Sequence, residues 1–161
     1  MDKQEGLSVL LKNKGTAKFC CTNEVRLNIA HVAKKIRAML TRGVILSISG
    51  PLGVGKTTLI RHILPEFEVA SPSFLHMLVY GKEDNLEENF ENNLFAHIDA
   101  YTFKSRESFL ALSIEELLET HCIIIEWGEL VADIVNILDA KVIKIEIGYE
   151  NGSRVIDISS K

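Results

Sequence analysis

The apolar and polar positions of this chain fall into blocks that predict strands and helices in turn. Residues 23–41 repeat apolar side chains every three or four positions, which predicts an amphipathic helix. The uncharged run at residues 44–49 predicts a buried strand, and residues 58–64 return to helical spacing. A short strand is predicted at residues 18–21. The chain is therefore predicted to begin as strand, helix, strand and helix.

Two later apolar runs, residues 94–99 and 122–126, each end in an acid, namely Asp99 and Glu126. The second run is unbroken and rich in isoleucine, which is typical of a parallel strand buried on both faces. The helical segments predicted between and after the two runs are 105–112, 113–120 and 129–138.

The end of the chain carries a hairpin pattern. Residues 141–149 alternate between apolar and polar, Asn151-Gly152 favours a tight turn, and residues 154–158 return as the second strand. These features predict an antiparallel edge on the sheet.

The middle of the chain is more polar. A strand is predicted at residues 74–80, after a turn at Ser71-Pro72-Ser73. The acidic, asparagine-rich stretch 81–93 is predicted as a solvated loop, with a docking element for a basic partner as the alternative. We expect one domain, 1–161, in which residues 1–15 form a flexible tail.

The strand at 44–49 leads directly into a phosphate-binding loop, Gly50-Pro51-Leu52-Gly53-Val54-Gly55-Lys56-Thr57. Glycines allow such a loop to turn successive N–H groups toward phosphate oxygens, while Lys56 reaches the β- and γ-phosphates. Thr57 opens the next helix, where its hydroxyl is available to Mg²⁺. The residues expected to bind the nucleotide here are Pro51, Leu52, Gly53, Val54, Gly55, Lys56, Thr57 and Thr58.

The loop and the predicted elements together indicate an α/β fold. We expect a P-loop NTPase-like sandwich whose central sheet is mostly parallel, with antiparallel edge strands and helices on both faces.

Composition limits the partners and the compartment. With 18 basic and 22 acidic side chains the formal net charge is −4, so the whole chain offers no broad attraction to nucleic acid. The three cysteines show no metal-ligand spacing, and we interpret them as reduced thiols. Since the N-terminus lacks the apolar centre of a signal peptide and no apolar run reaches 18 residues, we expect a soluble cytoplasmic protein.

A P-loop hydrolase needs a carboxylate in the Mg²⁺ shell and a group that orients the attacking water. Glu126 closes the most buried run, so we assign it to Mg²⁺ together with Thr57, and Asp99 to the water or switch role. The sequence leaves the reverse assignment open. The predicted catalytic residues are Lys56, Asp99 and Glu126.

Three more residues lie close to these in sequence. Ser73 falls where small GTPases place a hydroxyl that closes over the γ-phosphate, and an ordinary turn hydroxyl is the alternative. Trp127 follows Glu126 and is expected either to contact nucleotide or simply to pack in the core or at the rim. His97 shares a strand face with Asp99, and we interpret it as a structural histidine.

These segments, taken in order, resemble the TsaE family over roughly residues 22–158. The resemblance lies in Gly50 to Thr58, Ser71-Pro72-Ser73-Phe74, His97-Ile98-Asp99-Ala100-Tyr101 and Glu126-Trp127. That family comprises small bacterial ATPases required for the threonylcarbamoyl modification of the adenosine next to the anticodon in tRNA.

The resemblance implies an ATPase that uses ATP and Mg²⁺ and docks on a TsaD-type transferase with its TsaB-type companion. It would meet tRNA only through that complex or weakly, and hydrolysis would support repeated turnover of the complex. It also implies that Asp99 and Glu126 are the functional acids, that Ser71 and Ser73 form a switch-like turn, and that Trp127 is functional.

This sequence departs from the family pattern at two positions of interest. Ser73 stands where threonine is usual, which keeps the hydroxyl. Thr102 stands where an arginine is usual, so a positive charge is missing unless Lys104 or Arg106 supplies it.

Other classes fit less well. A small-molecule kinase would need an arginine-rich lid, yet between His62 and Phe103 the sequence contains Lys82 as its only lysine or arginine. A regulatory GTPase would need an Asn-Lys-x-Asp word after the loop, and none follows. A module that binds ATP for assembly without hydrolysing it stays open. Since no arginine finger is evident in the chain, we expect hydrolysis to be stimulated by the partner.

Overall fold

The computed structural model describes residues 10–11, 16–20, 29–81 and 94–160. Its strands are β1 (Leu10–Leu11), β2 (Thr16–Cys20), β3 (Val44–Ser49), β4 (Met77–Tyr80), β5 (Leu94–Asp99), β6 (His121–Glu126), β7 (Lys141–Glu150) and β8 (Ser153–Ser160). Its helices are α1 (Ile29–Arg37), α2 (Lys56–Ile63), α3 (Arg106–Leu110), α4 (Ile114–Leu118) and α5 (Ala132–Ile137), with short 3₁₀ segments at Ala100–Thr102 and Gly128–Val131.

The strands form one mixed sheet in the order β1-β2-β8-β7-β3-β6-β5-β4. β7, β3, β6 and β5 run parallel to one another. β4 joins one edge antiparallel, and β8, β2 and β1 extend the other edge antiparallel. The predicted fold class, with a mostly parallel centre and antiparallel edges, is confirmed.

Helices cover both faces of this sheet because its central strands are apolar on both sides. On β3, Leu46 packs in a core with α1 and α2, whereas its neighbour Ile45 packs in a second core with α3, α4 and α5. Successive side chains of a strand point to opposite faces, so an unbroken apolar run is what such a sheet requires. The same reasoning explains β6, in which Cys122 to Glu126 are all buried.

The register brings the ends of three strands together. Asp99 pairs with Glu126 across β5 and β6, and Glu126 pairs with Ile48 across β6 and β3. The carboxyl ends of parallel strands meet at one edge of a sheet, which is where ligands bind in open α/β folds. Both predicted acids therefore lie beside the loop that follows β3.

Two predicted elements differ most from the observed bounds. The strand predicted at 74–80 starts at Met77, because the chain first makes a turn in which the Leu75 amide donates to the Pro72 carbonyl and His76 adopts a φ of 63°. The helix predicted at 129–138 is divided into the 3₁₀ segment Gly128–Val131 and α5.

Some predictions fall partly or wholly outside the described residues. For the helix predicted at 23–41, α1 is described from Ile29, and residues 21–28 lie outside. Of the loop predicted at 81–93, only Gly81 is described. Within the segment predicted as a flexible tail, Leu10 and Leu11 pair antiparallel with β2.

Candidate nucleotide-binding site

The phosphate loop connects β3 to α2 through backbone conformations that favour glycine. Gly50 and Gly55 have φ values of 142° and 104°, in the region that side chains rarely adopt. A side chain on Gly50 would also clash with the carbonyl oxygen of Ile147. Gly55 directly precedes Lys56, the first residue of α2. The loop thus presents the free N–H groups of a helix N-terminus, which is a favourable place for an anion.

Lys56 is folded back into the loop. Its side chain is buried, and Nζ donates to the carbonyl oxygens of Gly50 at 2.7 Å and Pro51 at 3.1 Å. The same nitrogen lies 3.6 Å from the centre of the Trp127 ring. Burial lowers the pKa of Lys56 below its usual value, while the carboxylates of Glu126, Glu129 and Asp99 act in the opposite direction.

Glu126 connects the loop helix to the interior of the sheet. Thr57 Oγ1 donates to its two carboxylate oxygens, at 2.8 Å and 3.0 Å. His97, which is fully buried, bonds to Oε1 through Nε2 at 2.9 Å. Since a carboxylate accepts, Nε2 carries the hydrogen in this bond. Nδ1 of His97 is buried and has no hydrogen-bond partner among the described residues.

Asp99 has a different set of partners. Its Oδ2 accepts from Ser73 Oγ at 2.9 Å, and Ser73 in turn lies 2.7 Å from Ser71 Oγ. Its Oδ1 accepts from the backbone amide of Tyr101 at 3.1 Å, which caps the 3₁₀ segment after β5. Asp99 therefore holds the predicted switch-like turn against the end of the sheet.

Trp127 is held at the mouth of the site by an uncommon backbone conformation. Its φ of 59° is left-handed, which is rare for a bulky side chain. The ring lies over the Lys56 ammonium and has its centre 5.0 Å from that of Tyr101. The ring is thus a wall of the loop pocket, whereas rim packing alone was the alternative expectation.

The structure brings nearly all predicted site residues around one cavity of about 260 Å³. The residues that line it are Leu52, Gly53, Gly55, Lys56, Thr57, Thr58, Ser71, Ser73, Asp99, Glu126 and Trp127. Of the remaining predicted contacts, Val54 is buried in the core and its N–H donates to the Pro51 carbonyl, and Pro51 has no N–H to donate.

A second cavity, of about 440 Å³, lies beside Gly50 on the other side of the loop. Its lining includes four acids, Glu129, Glu146, Glu150 and Asp157. Because these carboxylates repel phosphate, the smaller cavity, with Lys56 and the helix N-terminus, is the better candidate for a nucleotide.

Sequence reasoning missed two features of the site. The first is the bond from His97 to Glu126, for which the shared strand face of His97 and Asp99 was the available clue. The second is Arg154 on β8, whose guanidinium lies against Gly55. Nothing in its sequence context distinguishes Arg154 from a surface arginine. Lys104, Arg106 and Arg154 are not among the residues that line the loop cavity. Arg106 pairs with Asp133, whereas Arg154 lies at the edge of the cavity, beside Gly55 and Thr58.

The side chains that could coordinate Mg²⁺ here are a hydroxyl and a carboxylate. Thr57 Oγ1 and Glu126 touch at the N-terminus of α2, and hard oxygen ligands of this kind are those that Mg²⁺ prefers when phosphates complete its shell. Among the described residues no cluster of three or more His, Cys, Asp or Glu side chains could hold a metal without such help.

Two further expectations concern the state of the cysteines and the absence of a membrane-spanning segment. Cys122 is a free, buried thiol whose pKa is raised by burial to about 12. In the part of the chain that the structure describes, no helix has the length and apolarity that crossing a membrane requires.

Comparison with known proteins identifies the family. Residues 24–156 match the family model described as "Threonylcarbamoyl adenosine biosynthesis protein TsaE". Proteins named "tRNA threonylcarbamoyladenosine biosynthesis protein TsaE" are similar as well. The one from Rickettsia felis is 31% identical over 65% of this chain and 62% of its own length, and the one from Rickettsia conorii is 28% identical over 82% of this chain and 75% of its own. The chain thus spans somewhat less than two thirds of the R. felis protein.

The crystal structure of Bacillus subtilis YdiB has a similar fold, with a TM-score of 0.60 over 90% of this chain and 85% of that one. At 20% identity this likeness supports the fold alone. The family model, in contrast, matches residues 24–156, a range that includes the loop and both acids. The chain therefore belongs to the TsaE family of P-loop proteins.

Proposed function

We propose that this protein is a Mg²⁺-dependent ATPase that serves threonylcarbamoyladenosine formation in tRNA. The observation that carries the proposal is the contact between Thr57 and Glu126 at the N-terminus of α2. It joins the hydroxyl of the phosphate loop to a carboxylate on the neighbouring strand, which is the pairing that P-loop NTPases use to hold Mg²⁺. The names of the similar proteins supply the pathway.

Lys56 has a defined task in this proposal. Two of its ammonium hydrogens are directed to the Gly50 and Pro51 carbonyls. Phosphate oxygens are stronger acceptors than carbonyls because they are charged, so a triphosphate in the loop would attract this ammonium. Burial destabilises the charged form of Lys56, and a bound phosphate would compensate for that loss of solvation.

The two acids would divide the remaining work. Thr57 and Glu126 would hold Mg²⁺, which supplies charge neutralisation on the phosphates when it is bound. Asp99 would orient the attacking water or fix the turn that carries Ser73 over the γ-phosphate. Support for this division comes from Asp99 being bonded to Ser73 rather than to the loop helix.

The partners follow from the family and from charge. We propose that the protein works as a single domain with a TsaD-type transferase and a TsaB-type companion in the cytoplasm. Its formal charge of −4 disfavours tight direct binding to tRNA, so contact with tRNA would run mainly through the complex.

A single-turnover assay tests the proposal. The protein would be mixed with a TsaD-type and a TsaB-type protein, and hydrolysis of radiolabelled ATP would be followed with and without Mg²⁺. We expect one phosphate released per site, dependent on Mg²⁺ and faster with the partners. ATP that binds and drives co-elution with the partners while staying intact would instead identify a non-hydrolysing assembly module.

The pathway needs its own test. Depletion of the protein in its source cells should lower threonylcarbamoyladenosine in bulk tRNA, measured by mass spectrometry of nucleosides. The catalytically weakened Glu126→Gln variant would serve as the matched control for complementation. Normal levels of the modified nucleoside after depletion would contradict the proposed pathway.

A further inference from the structure

Arg154 packs against the phosphate loop although it lies about a hundred residues later in the chain. A Cβ on Gly55 would lie 3.4 Å from Nη1 and 3.6 Å from Cζ of Arg154, and 3.8 Å from Cβ of Thr58. The hairpin of β7 and β8 makes this possible, since it pairs Arg154 with Tyr149 next to its turn. The guanidinium thus lies next to the loop at the first turn of α2.

The guanidinium also has a donor that the protein does not use. Nε of Arg154 is buried and has no hydrogen-bond partner among the described residues. Buried donors are nearly always paired, so an unpaired one calls for an acceptor. An acceptor that enters with a ligand would satisfy this requirement.

The position distinguishes Arg154 from the other cation of the loop. Lys56 Nζ is directed to the Gly50 and Pro51 carbonyls and to the Trp127 ring. Arg154 instead lies beside Gly55 and Thr58. Two cations at separate points of one loop can hold a chain of phosphates at two points.

We propose that Arg154 binds the phosphate chain of the nucleotide as a second cationic contact beside Lys56. This inference rests on the proposed nucleotide binding and adds a residue to it. Phosphate is the ligand that the place favours, because the N-terminus of α2 already attracts anions there. The planar guanidinium matches phosphate oxygens with two parallel hydrogen bonds, which a lysine cannot do.

The test measures binding of Mg·ADP by calorimetry and of inorganic pyrophosphate by competition against ADP. Arg154→Gln removes the positive charge, and Arg154→Lys keeps the charge but lacks the planar guanidinium. Arg42→Gln, at an exposed position, is the matched control. For Arg154→Gln we expect both ligands to bind roughly tenfold more weakly, since a charged hydrogen bond is lost. Arg154→Lys should lose less affinity, and the affinity of Arg42→Gln should stay within about twofold of the parent.

Pyrophosphate separates a phosphate contact from a contact to the base or ribose. If Arg154→Gln weakens ADP but leaves pyrophosphate unchanged, the proposed phosphate contact is wrong. If neither ligand is weakened while thermal unfolding shows a folded variant, Arg154 has no role in binding. Should Arg154→Gln fail to fold, Arg154→Lys decides, because a variant that binds both ligands like the parent would overturn the bidentate contact.

The wild-type titration distinguishes this inference from the function on which it depends. If the unaltered protein binds neither Mg·ADP nor Mg·ATP, the proposed ATPase is wrong and the Arg154 contact falls with it. If the unaltered protein binds and Arg154→Gln binds equally well, only the assignment of Arg154 fails.

Discussion

Glu126 and Asp99 occupy equivalent places, yet the structure connects them to different parts of the molecule. Each closes an apolar run, each is about 4% exposed, and the two residues pair across neighbouring parallel strands. Glu126 accepts hydrogen bonds from Thr57 in α2 and from the buried His97. Asp99 accepts hydrogen bonds from Ser73 in a surface turn and from the backbone amide of Tyr101.

The difference shows how one local pattern can serve two purposes. Glu126 is held between two elements of the core, so its position is fixed whether or not the turn moves. Asp99 holds a turn whose neighbours Phe74 and Leu75 are 95% and 66% exposed. Pro72 of this turn is buried, but the exposed Phe74 and Leu75 add little apolar burial, and weakly packed turns of this kind are typical of segments that move on ligand binding. We therefore expect Glu126 to be a fixed ligand of Mg²⁺, whereas the hydrogen bonds of Asp99 should change when the turn moves.

The largest effect is expected from Lys56→Ala, which removes the buried cation of the phosphate loop. Truncating one partner of a buried charged contact costs about 2–5 kcal/mol, so ATP should bind at least roughly 30-fold more weakly. Calorimetry with Mg·ATP measures this loss. A variant that binds and hydrolyses ATP like the parent would contradict the role of Lys56 in phosphate binding.

A paired substitution tests the comparison itself. Glu126→Gln should lower single-turnover hydrolysis by about 10²–10³-fold, because it removes charge from the metal position, while nucleotide without Mg²⁺ still binds. Asp99→Asn should lower hydrolysis too but keep the Mg²⁺ dependence of binding. Titration of each variant with Mg²⁺ at saturating ATP separates the two roles. If the loss of Mg²⁺ dependence appears with Asp99→Asn instead, the assignment is reversed.

His97 tests whether Glu126 needs its second partner. His97→Leu leaves a buried carboxylate with one donor fewer, which costs about 1–3 kcal/mol in such a setting. We expect a lower hydrolysis rate with little change in ATP affinity. His97→Gln can still donate to Oε1 and should recover part of the rate. Equal loss in both variants, matched by equal loss of thermal stability, would show that His97 acts only through packing.

A smaller effect is expected at the turn. Ser73→Ala removes the hydrogen bond to Asp99 and should release the turn without disturbing Glu126, so hydrolysis should fall by a few fold. Hydrogen exchange of residues 71–75 should accelerate, while exchange of β6 stays slow. Ser71→Ala, which removes the bond between the two serines but keeps the bond from Ser73 to Asp99, is the comparison and should have a smaller effect. Faster exchange in β6 as well would contradict the separation between a fixed and a movable side.

The smallest effect near neutral pH is expected in the strand that carries Glu126, where a change in stability appears only in alkali. Burial raises the pKa of Cys122 in the folded protein to about 12, against 9.0 for a free thiol. Between these values the unfolded chain loses its proton and the folded chain does not, so stability falls as pH rises. The free energy of unfolding should decline by up to about 1.4 kcal/mol per pH unit above pH 9 from this group.

In Cys122→Ala the free energy of unfolding should lose this part of its dependence on pH, while the contributions of other groups that titrate in alkali remain. Urea titrations of both proteins between pH 8 and pH 11 would measure the difference. Identical slopes would mean that β6 opens enough for Cys122 to ionise in the folded state.

Much of the fold could be predicted because its determinants are local. Apolar runs marked β3, β5 and β6, and glycine spacing marked the turn into α2. The bounds that were wrong lie where tertiary contacts override the local pattern. Residues 74–76 look like a strand, but the turn bonded to Asp99 keeps them out of β4. The segment after Trp127 starts as 3₁₀ structure because the tryptophan adopts a left-handed backbone there.

The candidate site could be predicted as a set of residues, but its connections could not. The sequence identified Lys56, Thr57, Asp99 and Glu126 as members, since each type has its own chemistry beside a phosphate loop. The sequence favoured Glu126 as the acid that meets Thr57 and left the reverse open, because the choice depends on strand order, which no periodicity encodes. The role of Trp127 as a wall over Lys56 depends on the same packing.

By itself the sequence determined a phosphate loop between a strand and a helix, and two acids at the ends of apolar runs. These features rest on spacing within a few residues, where backbone geometry leaves little choice. The tertiary structure alone decided that Glu126 meets Thr57, that Asp99 meets Ser73, and that Arg154 reaches Gly55. Each of these contacts joins residues at least 26 positions apart, and sheet register rather than local propensity places them together.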